Sequence, residues 1–416
     1  MNKHMPYDLA QMQSLPLEAK ERMSEERIKV WFESWVKYTI HNTKTNKRRT
    51  VTHNEEPNSN GCYVKRKKTI GGKKVDVDVL VKGTKLKPTE YIEHAEDGQV
   101  YVSFSGGKDS TVLADLCARV CERYGWTLHL LFVNTGLEYP EIQKFVKTFA
   151  EWLKTAYVIE VVLEVVRPEI RFDEVLKKYG YPIISKTVSH SVRIAKRNPD
   201  GKVMKNLFDP KNKGRFGCYT WKFLIDSDIP ASEECCNVMK KAPAKKYAKE
   251  TGRVAILGTM AHESSLRYSQ WLKHGCNAFN TKTPTSQPLS FWTNQDILHY
   301  IKKYEVPYCP VYGDIVVDIP SNKELEGQSN IIDLLGCYES EDKLKTTGCD
   351  RTGCIFCMFG CHLEKEPNRF QKLKQTHPRQ YEYCIGGGEM VDGKWQPSKE
   401  GLGLGKVLDY IGVKYD

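Results

Sequence analysis

The stretch Tyr101-Val-Ser-Phe-Ser105-Gly106-Gly107-Lys108-Asp109-Ser110-Thr-Val-Leu113 decides the fold. A β-branched and aromatic run enters it, a glycine turn follows, and a helix-forming segment leaves it. A strand, a glycine turn and a helix N-terminus together form an anion site. The first N–H groups of a helix have no partner within it, and the helix dipole favours negative charge there. Gly106 and Gly107 allow the backbone to approach a phosphate closely. Lys108 adds a positive charge, and Ser105 and Ser110 add hydroxyls. The stretch predicts a site for a nucleotide or another polyphosphate.

Two familiar phosphate loops are excluded. A Walker loop needs a glycine five positions before its second glycine and Ser or Thr after its lysine. Here those positions hold Val102 and Asp109. The dinucleotide pattern Gly-x-Gly-x-x-Gly is also absent from this stretch. What remains, Ser-Gly-Gly-Lys-Asp-Ser after a strand, resembles the PP-loop of the adenine nucleotide α-hydrolase superfamily. That resemblance implies a loop holding the β- and γ-phosphates of ATP, attack on the α-phosphorus, and departure of pyrophosphate.

From Val100 onward, strand-like and helix-like segments alternate. Strands are expected over 100–104, 127–133, 157–166 and 254–257, with helices over 110–124, 141–153 and 172–179. The pattern predicts an α/β fold with a doubly wound, mainly parallel sheet. Ligands in such sheets sit at the carboxyl ends of strands. The glycine loop lies at one such end and Asn134-Thr135-Gly136-Leu137-Glu138-Tyr139-Pro140-Glu141 at another, so the two are expected to share a pocket. Thr293 to Asp296 reads as a helix start. Three regions are expected: an N-terminal helix and basic hairpin (1–95), a nucleotide-binding domain (96–304) and a cysteine-rich region (305–416). Within the first, Leu17 to Ile40 reads as an amphipathic helix and Gly71-Gly72 as a turn between two strands. Gly401-Leu-Gly-Leu-Gly405 follows no strand of a βαβ unit and reads as a tail turn.

The chain has 416 residues, 40% of them hydrophobic, and a net charge of +11. No signal-like or membrane-spanning apolar run is present, so a cytoplasmic protein without membrane contact is expected. Its 14 cysteines are then expected to be reduced, and clustered ones to bind metal. Residues 44–74 hold ten Lys or Arg against two Glu, a local net of +8. Such a patch suits a nucleic-acid or protein partner, or simply keeps the surface solvated; both readings stand.

The second strong motif is Cys349-Asp-Arg-Thr-Gly-Cys354-Ile-Phe-Cys357-Met-Phe-Gly-Cys361, four cysteines in thirteen residues. This is metal-ligand spacing. Spacing alone does not separate Zn²⁺ from an iron–sulfur cluster. A further pair, Cys235-Cys236, lies upstream.

Over residues 98–365 the chain resembles the phosphoadenosine phosphosulfate reductase family of the PP-loop superfamily. Besides 105–110 and 134–141, the resemblance rests on five further elements. These are Tyr181-Pro-Ile-Ile-Ser185-Lys186; Cys235-Cys236 with Lys240-Lys241 and Pro243; Gly258 with Glu263-Ser264 and Arg267; Pro288-Leu-Ser-x-Trp292-Thr-x-x-Asp296; and Gly353-Cys354-x-x-Cys357. It implies a [4Fe–4S] cluster on Cys235, Cys236, Cys354 and Cys357, with Cys349 and Cys361 as alternates and Zn²⁺ as the other metal. Two departures stand out. The family's Glu-Cys-Gly-x-His motif, whose cysteine attacks the sulfonucleotide, does not occur in the sequence. The glycine loop, often degraded in sulfonucleotide reductases, is complete. Both shift the expectation toward ATP. The resemblance then comes closest in character to the ATP-using iron–sulfur component of DNA phosphorothioation systems.

The expected enzyme binds ATP with Mg²⁺ and adenylates a substrate for sulfur chemistry. Ser105, Gly106, Gly107, Lys108, Asp109 and Ser110 hold phosphates and metal, and Asn134, Thr135, Gly136 and Glu138 line the nucleoside side. Lys108, Asp109 and Arg267 are the expected catalytic groups. Arg267 is read either as an oxyanion ligand or as an ion-pair partner of Glu263. Two alternatives remain: a sulfite-forming reductase using another thiol, with Cys384 first in line, and a non-enzymatic nucleotide-sensing module that binds nucleic acid.

Overall fold

The computed structural model describes residues 3–52, 62–70, 73–82, 89–96, 98–212, 214, 217–318 and 342–416. The Gly71-Gly72 turn lies outside them. The described residues form two compact units, each drawn from several stretches of chain. The first comprises Met1–Phe132, Glu141–Glu164 and Ala248–Arg351; the second Val133–Pro140, Val165–Tyr247 and Thr352–Asp416.

The first unit is built on a six-stranded sheet. Its spatial order is Asn277–Ala278, Thr285–Ser286, Val254–Leu257, Val100–Ser103, Leu128–Val133, Val161–Val166. Val133 and Val165–Val166, at the ends of two strands, are counted with the second unit. Thr285–Ser286, Val254–Leu257, Val100–Ser103 and Leu128–Val133 run parallel. The short Asn277–Ala278 strand is antiparallel. The parallel strands read as near-continuous apolar runs because both faces are covered. The α/β, mainly parallel fold expected from the sequence is therefore the fold observed.

Chain order fixes where a ligand belongs. From Val100–Ser103 the chain steps outward on one side through Leu128–Val133 to Val161–Val166. It then returns to pair on the other side as Val254–Leu257. The topological switch point therefore lies between Val100–Ser103 and Val254–Leu257. The crevice at their carboxyl ends is the ligand site of such sheets.

The glycine loop leads into the helix Lys108–Tyr124, which is buried from Thr111 through Ala118 without a break. Its Asp115 carboxylate, fully buried, accepts hydrogen bonds from the hydroxyls of Tyr157 and Tyr300, each at 2.7 Å. Arg119 pairs with it at 3.3 Å and lies over the Tyr304 ring, 3.7 Å from its centre. Burial pushes the Asp115 carboxyl up, and the two hydroxyls and Arg119 oppose that. One side chain thus ties the helix behind the loop to Tyr157, beyond the helix Pro140–Ala156, and to Tyr300, on the helix Asn294–Tyr304.

At the N-terminus, the helix spans Leu17–Glu33 and is shorter than its periodicity predicts, because Ile40 belongs to a strand, Lys37–Asn42. That strand is the centre of a three-stranded antiparallel ribbon with Lys47–Thr52 and Glu90–Glu96. The helix buries Ile28, Trp31 and Phe32. It also docks through Ser24, whose hydroxyl accepts from the Trp292 indole at 2.9 Å, and through Lys20, 2.8 Å from Asp296. Thr293 and Asp296 form the expected capping box. A second hairpin pairs Cys62–Ile70 with Lys73–Lys82.

The second unit is mainly helical. Its core joins Tyr181, Ile183 and Val192 to Phe370, Leu404 and Val407. Leu402 and Leu404 of the Gly401–Gly405 segment are part of that core, and the helix Leu404–Tyr410 begins there rather than a bare turn. Among the described residues no helix is long and apolar enough to cross a membrane.

Asp115 yields a stability prediction. Tyr300→Phe leaves a buried carboxylate short of one donor, and urea unfolding should show a loss of about 1–3 kcal/mol. An unchanged midpoint would show that Asp115 does not organise this helix.

Candidate functional site

The glycine loop is held open by its own side chains. Ser110 Oγ donates to the Gly107 carbonyl at 2.8 Å and accepts from the Ser105 N–H at 3.2 Å. The Ser105 and Ser110 hydroxyls lie 3.1 Å apart. Gly106 takes φ +73°, and a Cβ there would meet Ile142 Cγ2 and Val146 Cγ2 at 2.9 Å. Glycine is therefore required twice over, by conformation and by space. Lys108 is buried, with Nζ 3.0 Å from Asp109 Oδ1. Its backbone N–H, at the helix N-terminus, donates to the Tyr312 hydroxyl at 3.0 Å.

The loop after Val254–Leu257 packs against the glycine loop across the switch point. A Cβ at Gly258 would lie 3.1 Å from the Asp109 carbonyl oxygen and 3.3 Å from Ser110 Cα. The chain then turns through Ala261–Glu263 into the helix Ser265–His274, capped by Ser264. Arg267 lies in that helix, one turn in, rather than on a loop. Glu263, with its side chain 8% exposed, accepts from the Met260 N–H at 2.9 Å and pairs with both Arg267 and Arg351. Burial and the neighbouring Arg351 charge pull the Arg267 guanidinium down, while Asp109 opposes them. His262 is also lowered, by burial first, with Arg351, Asp109 and Asp296 among its charged neighbours.

Tyr312 and Arg351 arrive on one strap. Ile315–Val317 pairs antiparallel with Leu344–Thr346. Before and after that pair, the Gly348 N–H donates to the Tyr312 carbonyl at 2.8 Å and the Cys349 N–H to the Val311 carbonyl at 3.0 Å. Gln295 anchors the strap to its helix by reciprocal bonds with the Leu344 backbone, at 2.9 and 2.8 Å.

In the second unit, Cys235, Cys236, Cys354 and Cys357 line one small cavity with Leu137, Phe172, Pro182, Met239 and Lys240. Cys235 donates to the Cys236 sulfur at 3.9 Å. That bond pulls Cys236 down to about 6, against burial, and Lys186, Lys240 and Lys241 add to the effect. The same bond and burial push Cys235 up. Burial raises Cys354 to about 11, and raises Cys357 also. Lys240 is half-buried; burial works against its ammonium, but Cys354 and Glu138 outweigh it and leave its pKa raised. Among the described residues, no three His, Cys, Asp or Glu side chains form a site for a single metal ion.

Asn134–Glu138 belongs to this unit and is a self-closed turn. Asn134 Oδ1 accepts from the Gly136 N–H at 3.0 Å, and Thr135 Oγ1 donates to Glu138 at 2.7 Å. The Leu137 carbonyl accepts from the Ile355 N–H at 2.8 Å, tying the turn to the cysteine motif. Cys361 is buried in the same unit but does not line the cavity; Cys349 lies in the first unit. Cys384 is fully buried, and burial pushes its thiol far up, so it is not a ready nucleophile.

The phosphoadenosine phosphosulfate reductase domain matches residues 99–211 and 209–358, which takes in the glycine loop, the Glu263–Arg267 segment and all four cavity cysteines. The chain belongs to the phosphoadenosine phosphosulfate reductase family. A relative from Methanocaldococcus jannaschii, an uncharacterized protein, is 26% identical over 223 residues, 51% of this chain and 38% of that protein. The chain thus aligns with less than half of that protein's length.

Within this PP-loop, nucleotide-using family, the structure joins Ser105–Ser110 to Arg267 in the first unit and the four cysteines to Glu138 in the second. The sequence reading missed Tyr312, Arg351 and His262. Arg351 stands inside Cys349-Asp-Arg-Thr-Gly, a motif read only for its thiols. Gly106→Ala tests the loop. Left-handed backbone costs a non-glycine residue about 1–2 kcal/mol, and the contacts with Ile142 and Val146 add to it. Nucleotide affinity measured by calorimetry should fall at least tenfold, and unchanged affinity would remove the loop from the site.

Proposed function

We propose that this chain binds ATP with Mg²⁺ at the glycine loop and cleaves it at the α-phosphorus, releasing pyrophosphate and adenylating a substrate for sulfur chemistry. The observation that carries this reading is the complete Ser105–Ser110 loop, opening a buried helix at the sheet's switch point. Backbone N–H groups from Gly106 to Ser110 receive the β- and γ-phosphates. Lys108 offsets phosphate charge, and Asp109 offers an oxygen to the metal. Attack by an acceptor oxygen on the α-phosphorus displaces pyrophosphate. Positioning and charge stabilisation, rather than a covalent enzyme intermediate, supply the acceleration.

The four cavity cysteines suit a [4Fe–4S] cluster. Four thiols ring an otherwise apolar space, Lys240 faces them, and each corner of such a cluster takes one thiolate. A single Zn²⁺ needs all four sulfurs within about 2.3 Å of one point. When bound, a cluster there supplies electron-transfer chemistry. This combination favours the likeness to the iron–sulfur component of DNA phosphorothioation systems, and the basic composition of segment 44–74 suits a nucleic-acid partner. Two of its arginines are already engaged: Arg48 with Glu93 at 2.6 Å and Arg49 with Glu90 at 3.0 Å.

The second reading, sulfite formation from a sulfonucleotide, is favoured by family membership; the deep burial of Cys384 weighs against its leading thiol. One anaerobic comparison separates the two. Protein with ATP and Mg²⁺ should release pyrophosphate and AMP once an acceptor is present, and protein with a sulfonucleotide and a thiol donor should release no sulfite. Sulfite without pyrophosphate would reverse the order of the readings. ATP binding with no turnover on any acceptor would leave a sensing module. Iron, sulfide and zinc analysis completes the test. Cys235→Ser and Cys354→Ser should each lose the metal, Cys384→Ser should keep it, and zinc without sulfide would overturn the cluster.

A further inference from the structure

We propose that Arg351 is a phosphate-binding residue of the glycine-loop site, held by Glu263 beside Arg267, and that it takes an oxyanion of the nucleotide's polyphosphate tail. The inference rests on the reading of the loop as an ATP site and adds a ligand that the sequence motifs do not mark.

Position comes first. The strap that carries Arg351 touches the glycine loop itself, because its Tyr312 hydroxyl accepts the Lys108 N–H, a donor in the phosphate-binding position, at 3.0 Å. Residues 348 and 349 are bonded backbone to backbone with Tyr312 and Val311. Arg351 therefore begins two residues from a segment seated on the loop. Gly313 makes this closeness possible: at φ +65°, a Cβ there would meet Thr347 Oγ1 at 2.3 Å and the Gly348 nitrogen at 2.9 Å. From the other side, Gly258, five residues before Glu263, lies against the Asp109 and Ser110 backbone.

Charge comes second. Two guanidiniums share the single carboxylate of Glu263, which also accepts the Met260 N–H. Each guanidinium carries five donors, and a carboxylate offers about four acceptor sites. Most of the arginine donors are therefore free for another acceptor. With Lys108 and Asp109 the local sum is three positive charges against two negative, +1. Like charges this close repel, and an incoming oxyanion relieves that repulsion.

Exposure comes third. The Glu263 side chain is 8% exposed, while Arg267 is 37% and Arg351 61% exposed. The carboxylate is buried, while the two arginine side chains that pair with it reach solvent. A planar fork binds phosphate in two-pronged fashion, which an ammonium does not.

The test compares Arg351→Ala and Arg351→Lys with the parent chain, by calorimetry with MgATP, pyrophosphate and AMP. Arg351→Ala should weaken MgATP and pyrophosphate about tenfold to a hundredfold, the worth of a charged hydrogen bond. It should leave AMP unchanged, and Arg351→Lys should fall between parent and alanine. Equal MgATP affinity in parent and alanine variants would overturn the inference and leave Arg351 a structural partner of Glu263, as would an equal loss for all three ligands. A parent chain that binds neither MgATP nor pyrophosphate would instead overturn the ATP reading itself.

Discussion

The burial of one helix governs the first unit. Lys108–Tyr124 starts at the glycine loop and runs through the core, so the loop's geometry is only as firm as the helix's seating. Close packing already resists sliding of a buried apolar helix. The Asp115 carboxylate adds directional ties, because the Tyr157 and Tyr300 hydroxyls that it accepts come from outside the helix, while Arg119 pairs with it within the helix. A buried carboxylate without them would carry a heavy desolvation penalty. The same atoms that make the helix costly to misplace therefore aim its N-terminal N–H groups at the crevice.

The second unit solves a different electrostatic problem. Three of the four thiols beside the cavity resist ionisation: burial raises Cys354 and Cys357, and the hydrogen bond to Cys236 together with burial raises Cys235. Only Cys236 moves the other way, through the hydrogen bond from Cys235 and the lysines near it. Metal ligation requires thiolates. On the proposed metal reading the lysines around this cavity would have a physical role, and Lys240, half-buried beside Cys354, is the clearest of them.

Legibility in the sequence followed the range of the interactions. The strand Val254–Leu257, the helix Phe172–Tyr179 and the Thr293–Asp296 cap were readable because each is decided within about a dozen residues. The stretch Leu17–Ile40 misled because Tyr38-Thr-Ile40 continues a helical spacing of apolar residues. What ends the helix at Glu33 is pairing with Glu90–Glu96, some fifty residues on. The same limit hid the site's other half. Tyr312 and Arg351 gain their positions only when the strap closes on itself and on the loop, and no local pattern announces that. Glu263 and Arg267 were visible as a pair four apart, yet the second arginine on the same carboxylate was not.

The identity of the ligand turns on that second arginine. A lone Glu263–Arg267 pair one helical turn apart would be an ordinary half-exposed ion pair, worth little and implying nothing. Two arginines on one buried glutamate, with Lys108 buried close to the same loop, leave net positive charge where the sheet's topology places a ligand. A nucleotide whose phosphates end at the α-position would meet the loop's N–H groups with nothing to give them, and would leave those cations without a partner. On the proposed reading a triphosphate would fill the loop and bring the charge to balance them. The completeness of Ser105–Ser110 and the crowding of guanidiniums beside it are separate features of the chain, one local and one assembled across a separation of 88 residues from Glu263 to Arg351. Both favour the same long, highly charged tail.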